Sequence, residues 1–163
     1  MGITSEYINS LIDKYSDTAL RIALMYLKSK EDAEDVVQEV FLKIIDKKPE
    51  FNDERHTKYW ITKTAANLSK NRLSLFWNRN KRSIDDAYDI ASYDTYSTDT
   101  EVIRAVRSLP EKYKMPIYLF YYEGYTTNEI AEMTKQKEAT VRSLLHRART
   151  KLKDMLKEEY GFE

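Results

Sequence analysis

Apolar residues return along most of this chain at intervals of three and four, the period of a helix with one buried face. Ile8, Leu11, Ile12, Tyr15, Ala19, Ile22, Ala23, Tyr26 and Leu27 keep that spacing and predict a first helix from about residue 4 to residue 28. A break follows, and Ser29 then stands three residues before Asp32, as at a capped helix start. The second helix is expected to bury Val36, Val37, Val40, Phe41 and Ile44, leaving Asp35, Gln38, Glu39 and Leu42 outside. Acids in its first turn suit the positive end of the helix dipole. Pro49 marks its end, because proline steers the residue before it away from helical geometry. A loop over 49–57, carrying Phe51, leads to a third helix over 58–76. Its apolar side reads as Ile61, Thr64, Ala65, Leu68 and Leu75. Lys63, Asn67, Lys70, Asn71 and Ser74 gather opposite, with Tyr59 and Trp60 near the start, either exposed aromatics or core residues, Trp60 more often core.

Periodicity lapses over 83–100, a stretch of Asp, Ser, Thr and Tyr that reads as a flexible acidic linker. It resumes at Glu101 with Val102, Ile103, Ala105, Val106 and Leu109. A helix over 110–122 follows, starting on Pro110, and Pro116 inside it is expected to kink or divide it. Gly124 marks the stop. Thr126 and Glu129 then have the spacing of a capping box, ahead of a short helix with Ile130, Ala131 and Met133 on its apolar face. A link of three residues, 135–137, contains no glycine. The last helix buries Val141, Leu144, Leu145, Ala148, Leu152 and Met155. Arg142, His146, Arg149 and Lys153 run beside that stripe, and Ser143 and Arg147 project from its far side. Residues 158–163 read as a frayed end. Two helices joined by so short a turn fit a helix-turn-helix, whose second helix can lie in the major groove of DNA with arginine forked onto guanine or phosphate, in preference to a surface helical hairpin with solvated basic residues.

Composition supports an all-α protein of two small helical domains: 163 residues hold only 3 Gly and 3 Pro, and 33% are charged. The charges balance at 27 of each sign but are segregated. Residues 31–54 carry 9 acids against 3 bases, 55–82 carry 8 bases and no acid, 83–101 carry 6 acids and no base, and 135–157 carry 8 bases against 2 acids. Two separate basic blocks suit two contacts with a polyanion, and acidic blocks suit a protein partner or self-screening, the alternative being a chance alternation of solvated faces. No apolar run has the length of a membrane span and the start lacks a signal-peptide pattern, so a soluble cytoplasmic protein is expected. Cysteine is absent, which excludes disulfides and thiolate metal sites. The two histidines, His56 and His146, fall in different domains and no glycine-rich phosphate loop is present. Neither catalysis nor a cofactor or metal is therefore expected. A stand-alone helix-turn-helix regulator, with a ligand-sensing first half, is the alternative to a factor that works with a larger enzyme.

Four segments, AEDVVQEVFLKII at 33–45, YWITKTAANLSKNRL at 59–73, LPEKYKMPIYLFYYEGYTTNEIA at 109–131 and ATVRSLLHRARTKLK at 139–153, occur in an order that resembles the extracytoplasmic-function group of bacterial sigma factors. The resemblance covers nearly the whole chain. It implies a domain over 1–82 that docks on core RNA polymerase and opens and reads the minus-ten element, a linker over 83–100, and a domain over 101–163 that reads the minus-thirty-five element as duplex. By this resemblance Asp35, Gln38, Glu39 and Leu42 dock on the coiled coil of the beta-prime subunit. Lys63, Asn67, Lys70 and Asn71 read the minus-ten element, and the loop 51–57, with Phe51, takes an extruded base. Arg142, Ser143, His146 and Arg147 read the minus-thirty-five element, with Arg149 and Lys153 on phosphate. The resemblance further implies contact with the beta flap, a linker threaded near the RNA exit route, and restraint by a membrane-tethered anti-sigma factor. Gln136, Lys137 and Glu138 replace the commoner turn with Gly or Pro, and Leu144 stands where some members carry a base.

Overall fold

A computed structural model describes residues 4–79 and 101–160. Among the described residues there are seven helices and no strand, and no helix is long and apolar enough to cross a membrane. The chain divides into two compact units, Met1–Thr95 and Tyr96–Glu163. The acidic stretch 83–100 lies outside the described residues.

In the first unit α1 (Ser5–Tyr26) packs on both α2 (Lys30–Lys47) and α3 (Glu54–Arg79). Thr4 caps α1 by accepting from the Tyr7 amide at 3.1 Å, and Ser29 caps α2 by accepting from the Asp32 amide at 3.3 Å. Each cap satisfies an amide that the helix cannot, and is worth about 1 kcal/mol. The core is built from Ile22, Met25, Leu27, Val36, Ile44 and Ile61, all essentially inaccessible to water. Val37, expected inside, is only half-buried, at the edge of the stripe that Val36 and Val40 complete.

The third helix departs most from expectation. It starts at Glu54, four residues earlier than 58, because Asp53 caps it: its Oδ1 accepts from the His56 amide at 2.8 Å, and its carbonyl accepts from the Thr57 amide at 3.1 Å and hydroxyl at 2.9 Å. Thr57, placed in a loop by the sequence reading, is thus a buried first-turn residue. The buried face is also rotated. Ile61 and Ala65 are inside as expected, but Thr62, Ala66, Ser69 and Leu73 complete the face, whereas Leu75 is 60% exposed. Small side chains let α3 approach its neighbours closely, and Thr and Ser leave little trace in a hydrophobicity pattern.

The second unit holds α4 (Glu101–Ser108), α5 (Glu111–Tyr121), α6 (Thr127–Thr134) and α7 (Glu138–Tyr160), with α7 packed on the other three. Pro116 does not divide α5, which runs unbroken from Glu111 to Tyr121. Proline removes the amide that would reach the carbonyl of Lys112 and costs about 3 kcal/mol in a helix interior. Against that, Tyr113, Met115, Ile117, Tyr118 and Leu119 are all buried, at about 1.5–3 kcal/mol for each large apolar side chain. Tertiary burial outweighs the lost bond. Gly124 ends the segment with φ +76°, and the Tyr125 amide returns to the Leu119 carbonyl at 3.0 Å. At the C-terminus α7 continues to Tyr160, beyond the expected fraying point at 158.

Candidate nucleic-acid interfaces

The helix-turn-helix of the second unit is built by local chemistry at both of its joints. Thr126 accepts from the Glu129 amide at 3.2 Å and the Glu129 carboxylate accepts from the Thr126 amide at 2.9 Å, closing the capping box. At the other end Lys135 takes the left-handed conformation, φ 57° and ψ 45°, that glycine usually supplies. The Gln136 amide then reaches back to the Ala131 carbonyl at 2.9 Å. A lysine there costs about 1 kcal/mol, yet the turn forms without glycine because Ile130, Ala131 and Met133 are buried just before it and Val141, Leu144 and Leu145 just after. Leu144 is therefore a core residue, unable to reach a base.

Facing away from that core, α7 exposes Arg142, Ser143, His146 and Arg147 together. Arg142 is paired with the carboxylate of Glu138 one turn earlier. Arg149 and Lys153 are exposed as well and continue the line of Arg142 and His146 toward the C-terminus. The Arg149 Nε donates to the Tyr121 hydroxyl at 2.6 Å, and its guanidinium lies 5.7 Å from the centre of that ring. Both cations rim an apolar groove of ≈ 390 Å³ between α4, α5 and α7, floored by Val102, Val106, Ile117 and Leu152. The pattern had not singled out Lys112 and Lys151. They approach the Tyr113 ring at 5.0 and 5.6 Å and extend the cationic surface onto α5. Only the fold brings these two lysines together, since 39 positions separate them.

In the first unit Lys63, Asn67, Lys70 and Asn71 fall on one side of α3, as the spacing predicts; Lys63 and Asn67 are half-buried and Lys70 and Asn71 exposed. His56 and Trp60 continue the same line toward the start of the helix. Phe51 meets them edge-on, with ring centres 5.5 Å from His56 and 5.8 Å from Trp60. Tyr59 and Trp60, which the pattern leaves open between surface and core, are half-buried. The loop is pinned on both flanks. The Asn52 amide donates to His56 Nδ1 at 3.2 Å, and Lys14 of α1 pairs with Glu54, an interaction that raises the lysine pKa above its ordinary value.

On α2, Asp35, Gln38 and Leu42 are exposed and Glu39 is half-buried, one helical side as expected. Leu42 is 60% exposed and Ile45 beside it 46%, so the acidic face has an apolar margin. Arg72 of α3 reaches this face, 3.3 Å from Asp35 and 3.8 Å from Glu39. The sequence pattern placed Arg72 within a basic block and did not connect it to these acids. Among the described residues no group of histidines and acids could hold a metal ion.

Comparison with known proteins accords with this geometry. Residues 11–81 match sigma-70 region 2 and residues 99–152 match sigma-70, region 4, together about three quarters of the chain. The RNA polymerase sigma factor SigV of Bacillus subtilis is 27% identical over 151 residues, covering 89% of this chain and 88% of that protein. The ECF RNA polymerase sigma-E factor of Haemophilus influenzae is 29% identical over 164 residues, covering 91% and 86%. Among solved structures, the sigma factor RpoE of Bartonella quintana, in complex with the anti-sigma factor NepR, is similar in fold at a TM-score of 0.71 and 18% identity, covering 96% of this chain and 99% of that one. CnrH, in complex with the cytosolic domain of CnrY, is similar at 0.69 and 17%, covering 96% and 91%. With region 2 and region 4 present in that order, and a helix-turn-helix exposing its basic side, this chain belongs to the extracytoplasmic-function group of sigma factors.

Proposed function

We propose that the two halves of this sigma factor divide the work of promoter recognition between them. Region 2, over 1–82, holds core RNA polymerase through Asp35, Gln38, Glu39 and Leu42. It reads the minus-ten element through Lys63, Asn67, Lys70 and Asn71. Region 4, over 101–163, reads the minus-thirty-five duplex through Arg142, Ser143, His146 and Arg147, with Arg149 and Lys153 on phosphate. The residues 83–100 between them pass near the RNA exit route. The single observation that carries this reading is the side of α7 left open by its own core, where two arginines, a histidine and a serine stand together.

The mechanism is binding, with no covalent step. Phosphate contacts hold register and side chains at base edges select sequence. Opening the minus-ten element costs a few kcal/mol for each base taken from the stack. Phe51 is placed to help offset that cost: it closes a three-ring cluster at the head of the Lys63–Asn71 line, against which an extruded base can stack. Arg149 requires a refinement of its role. Its hydrogen bond to Tyr121 holds the guanidinium at the groove rim, so it serves phosphate only where the duplex passes over that rim. The groove itself, apolar with a cationic rim, suits an apolar helix of the polymerase beta flap.

Work with polymerase and DNA places the protein in the cytoplasm. Restraint by a membrane-tethered anti-sigma factor fits the two similar folds, one bound to an anti-sigma factor and the other to the cytosolic domain of a partner. An independent regulator would have no use for the exposed Asp35, Gln38, Glu39 and Leu42 side of α2. The test is transcription in vitro with purified bacterial core polymerase over a genomic template library. RNA starting at a defined set of sites is expected only when this chain is added. Start sites unchanged by its addition would refute the proposal.

A further inference from the structure

The acids assigned to polymerase docking already have a cation of their own. Arg72 leaves α3 on the side opposite Lys63 and Asn67 and enters the crease between α2 and α3. Its Nη1 lies 3.3 Å from Asp35 Oδ2 and 3.5 Å from the carbonyl oxygen of Asp32, and its Nη2 lies 3.8 Å from Glu39 Oε1. Asp35 and Glu39 are one turn apart on α2, so a single planar guanidinium can span both. The arginine side chain is 34% exposed, the acids 59% and 46%. The cation thus sits deeper than the carboxylates it serves, and each acid keeps about half its surface open to a partner.

We infer that Arg72 is an internal counter-cation that sets how tightly this face of α2 holds polymerase. The inference rests on the docking role of Asp35 and Glu39 proposed above. A lysine or arginine arriving from the partner must either share the two carboxylates with Arg72 or displace it, and it meets a like charge a few ångströms behind them. Arg72 therefore weakens the complex. It also favours a partner whose cations reach the open halves of both acids, over any surface that is merely basic. Such a restraint matters for a factor that must be released from the enzyme and held by other proteins in turn. The ion pairs are partly solvated, so the effect is moderate, about three- to tenfold in affinity.

The experiment titrates purified bacterial core polymerase into the labelled full-length chain at low and at high salt. Arg72→Gln, which loses the charge but keeps a donor for the Asp32 carbonyl, is expected to bind about three- to tenfold more tightly at low salt, with the gain shrinking at high salt as screening rises. Arg72→Lys retains the charge and is expected to bind within about twofold of wild type. The pair Asp35→Asn and Glu39→Gln is expected to weaken binding, and adding Arg72→Gln to that pair to change it by less than about twofold. Should Arg72→Gln melt early, Arg72→Met, which keeps the stem in the crease, replaces it. Equal or weaker binding by a folded, uncharged Arg72 variant overturns the inference and leaves the docking reading standing. So does a full gain in the Asp35→Asn, Glu39→Gln background. Unweakened binding by Asp35→Asn, Glu39→Gln overturns the docking reading, and the inference falls with it.

Discussion

Each unit of this protein contains one long basic helix, α3 with 26 residues in the first and α7 with 23 in the second, and the two helices are held in opposite ways. The buried side of α7 is large and apolar: Val141, Leu144, Leu145 and Ala148, with Leu152 half-covered behind them. The buried side of α3 is small and mixed: Thr57, Ile61, Thr62, Ala65, Ala66, Ser69 and Leu73. Large side chains are tied down by the water they exclude; small ones are tied down by how closely a neighbouring backbone can approach. α7 should therefore be sensitive to loss of volume and α3 to its gain.

The sharpest way to break this contrast is at Leu145, which is 1% exposed. Leu145→Ala is expected to cost about 2–5 kcal/mol of unfolding free energy, measured by chemical denaturation of the full chain. A loss below about 1 kcal/mol would mean that α7 is not anchored by this stripe. On α3 the matching change is an enlargement. Ser69→Leu places a large side chain at a position with no accessible surface and is expected to cost about 1–3 kcal/mol. A neutral result would mean that the packing around Ser69 has room for a larger side chain.

Binding offers the next test. Arg147→Ala should weaken association with a cognate minus-thirty-five duplex by about 1–3 kcal/mol and relax base preference locally, read by competition among duplex variants. A loss shared equally by all sequences would place Arg147 on phosphate. Backbone effects at the two left-handed positions of the second unit are smaller and opposite in sign. Gly124→Ala has open space around a new Cβ, so only the φ of +76° opposes it, at about 1 kcal/mol. Lys135→Gly should be stabilising by up to about 1 kcal/mol, and a thermal melt of each variant compares the two. The smallest effect discriminates best between pattern and packing. Leu75→Ala should fall within about 0.5 kcal/mol of wild type, although the hydrophobic period placed Leu75 in the core.

These contrasts explain where the sequence was legible. For α7 the stripe, the capping box at Thr126 and Glu129 and the link at 135–137 could all be read directly, because each depends on residues within four or five positions of one another. For α3 the spacing placed Lys63, Asn67, Lys70 and Asn71 together correctly, since helical geometry alone does that. Yet it turned the core by roughly a quarter of a revolution, because Thr62 and Ser69 are buried without being hydrophobic. Asp53 was missed as a cap because the pattern starts the helix at 58, although aspartate is a favoured capping residue and its Oδ1 accepts from the His56 amide.

Local order of residues therefore decided that the chain is helical, where most helices begin, which sides carry charge and which family the whole belongs to. Only the tertiary structure decided what meets what across the gaps. It kept Pro116 inside an unbroken α5, laid Arg149 against Tyr121, joined Lys112 to Lys151 over Tyr113, and brought Arg72 to Asp35 and Glu39. The physical reason is range. Periodicity and capping act within about one or two turns of helix, whereas an ion pair between positions 37 apart exists only after burial of a shared core has brought two helices side by side.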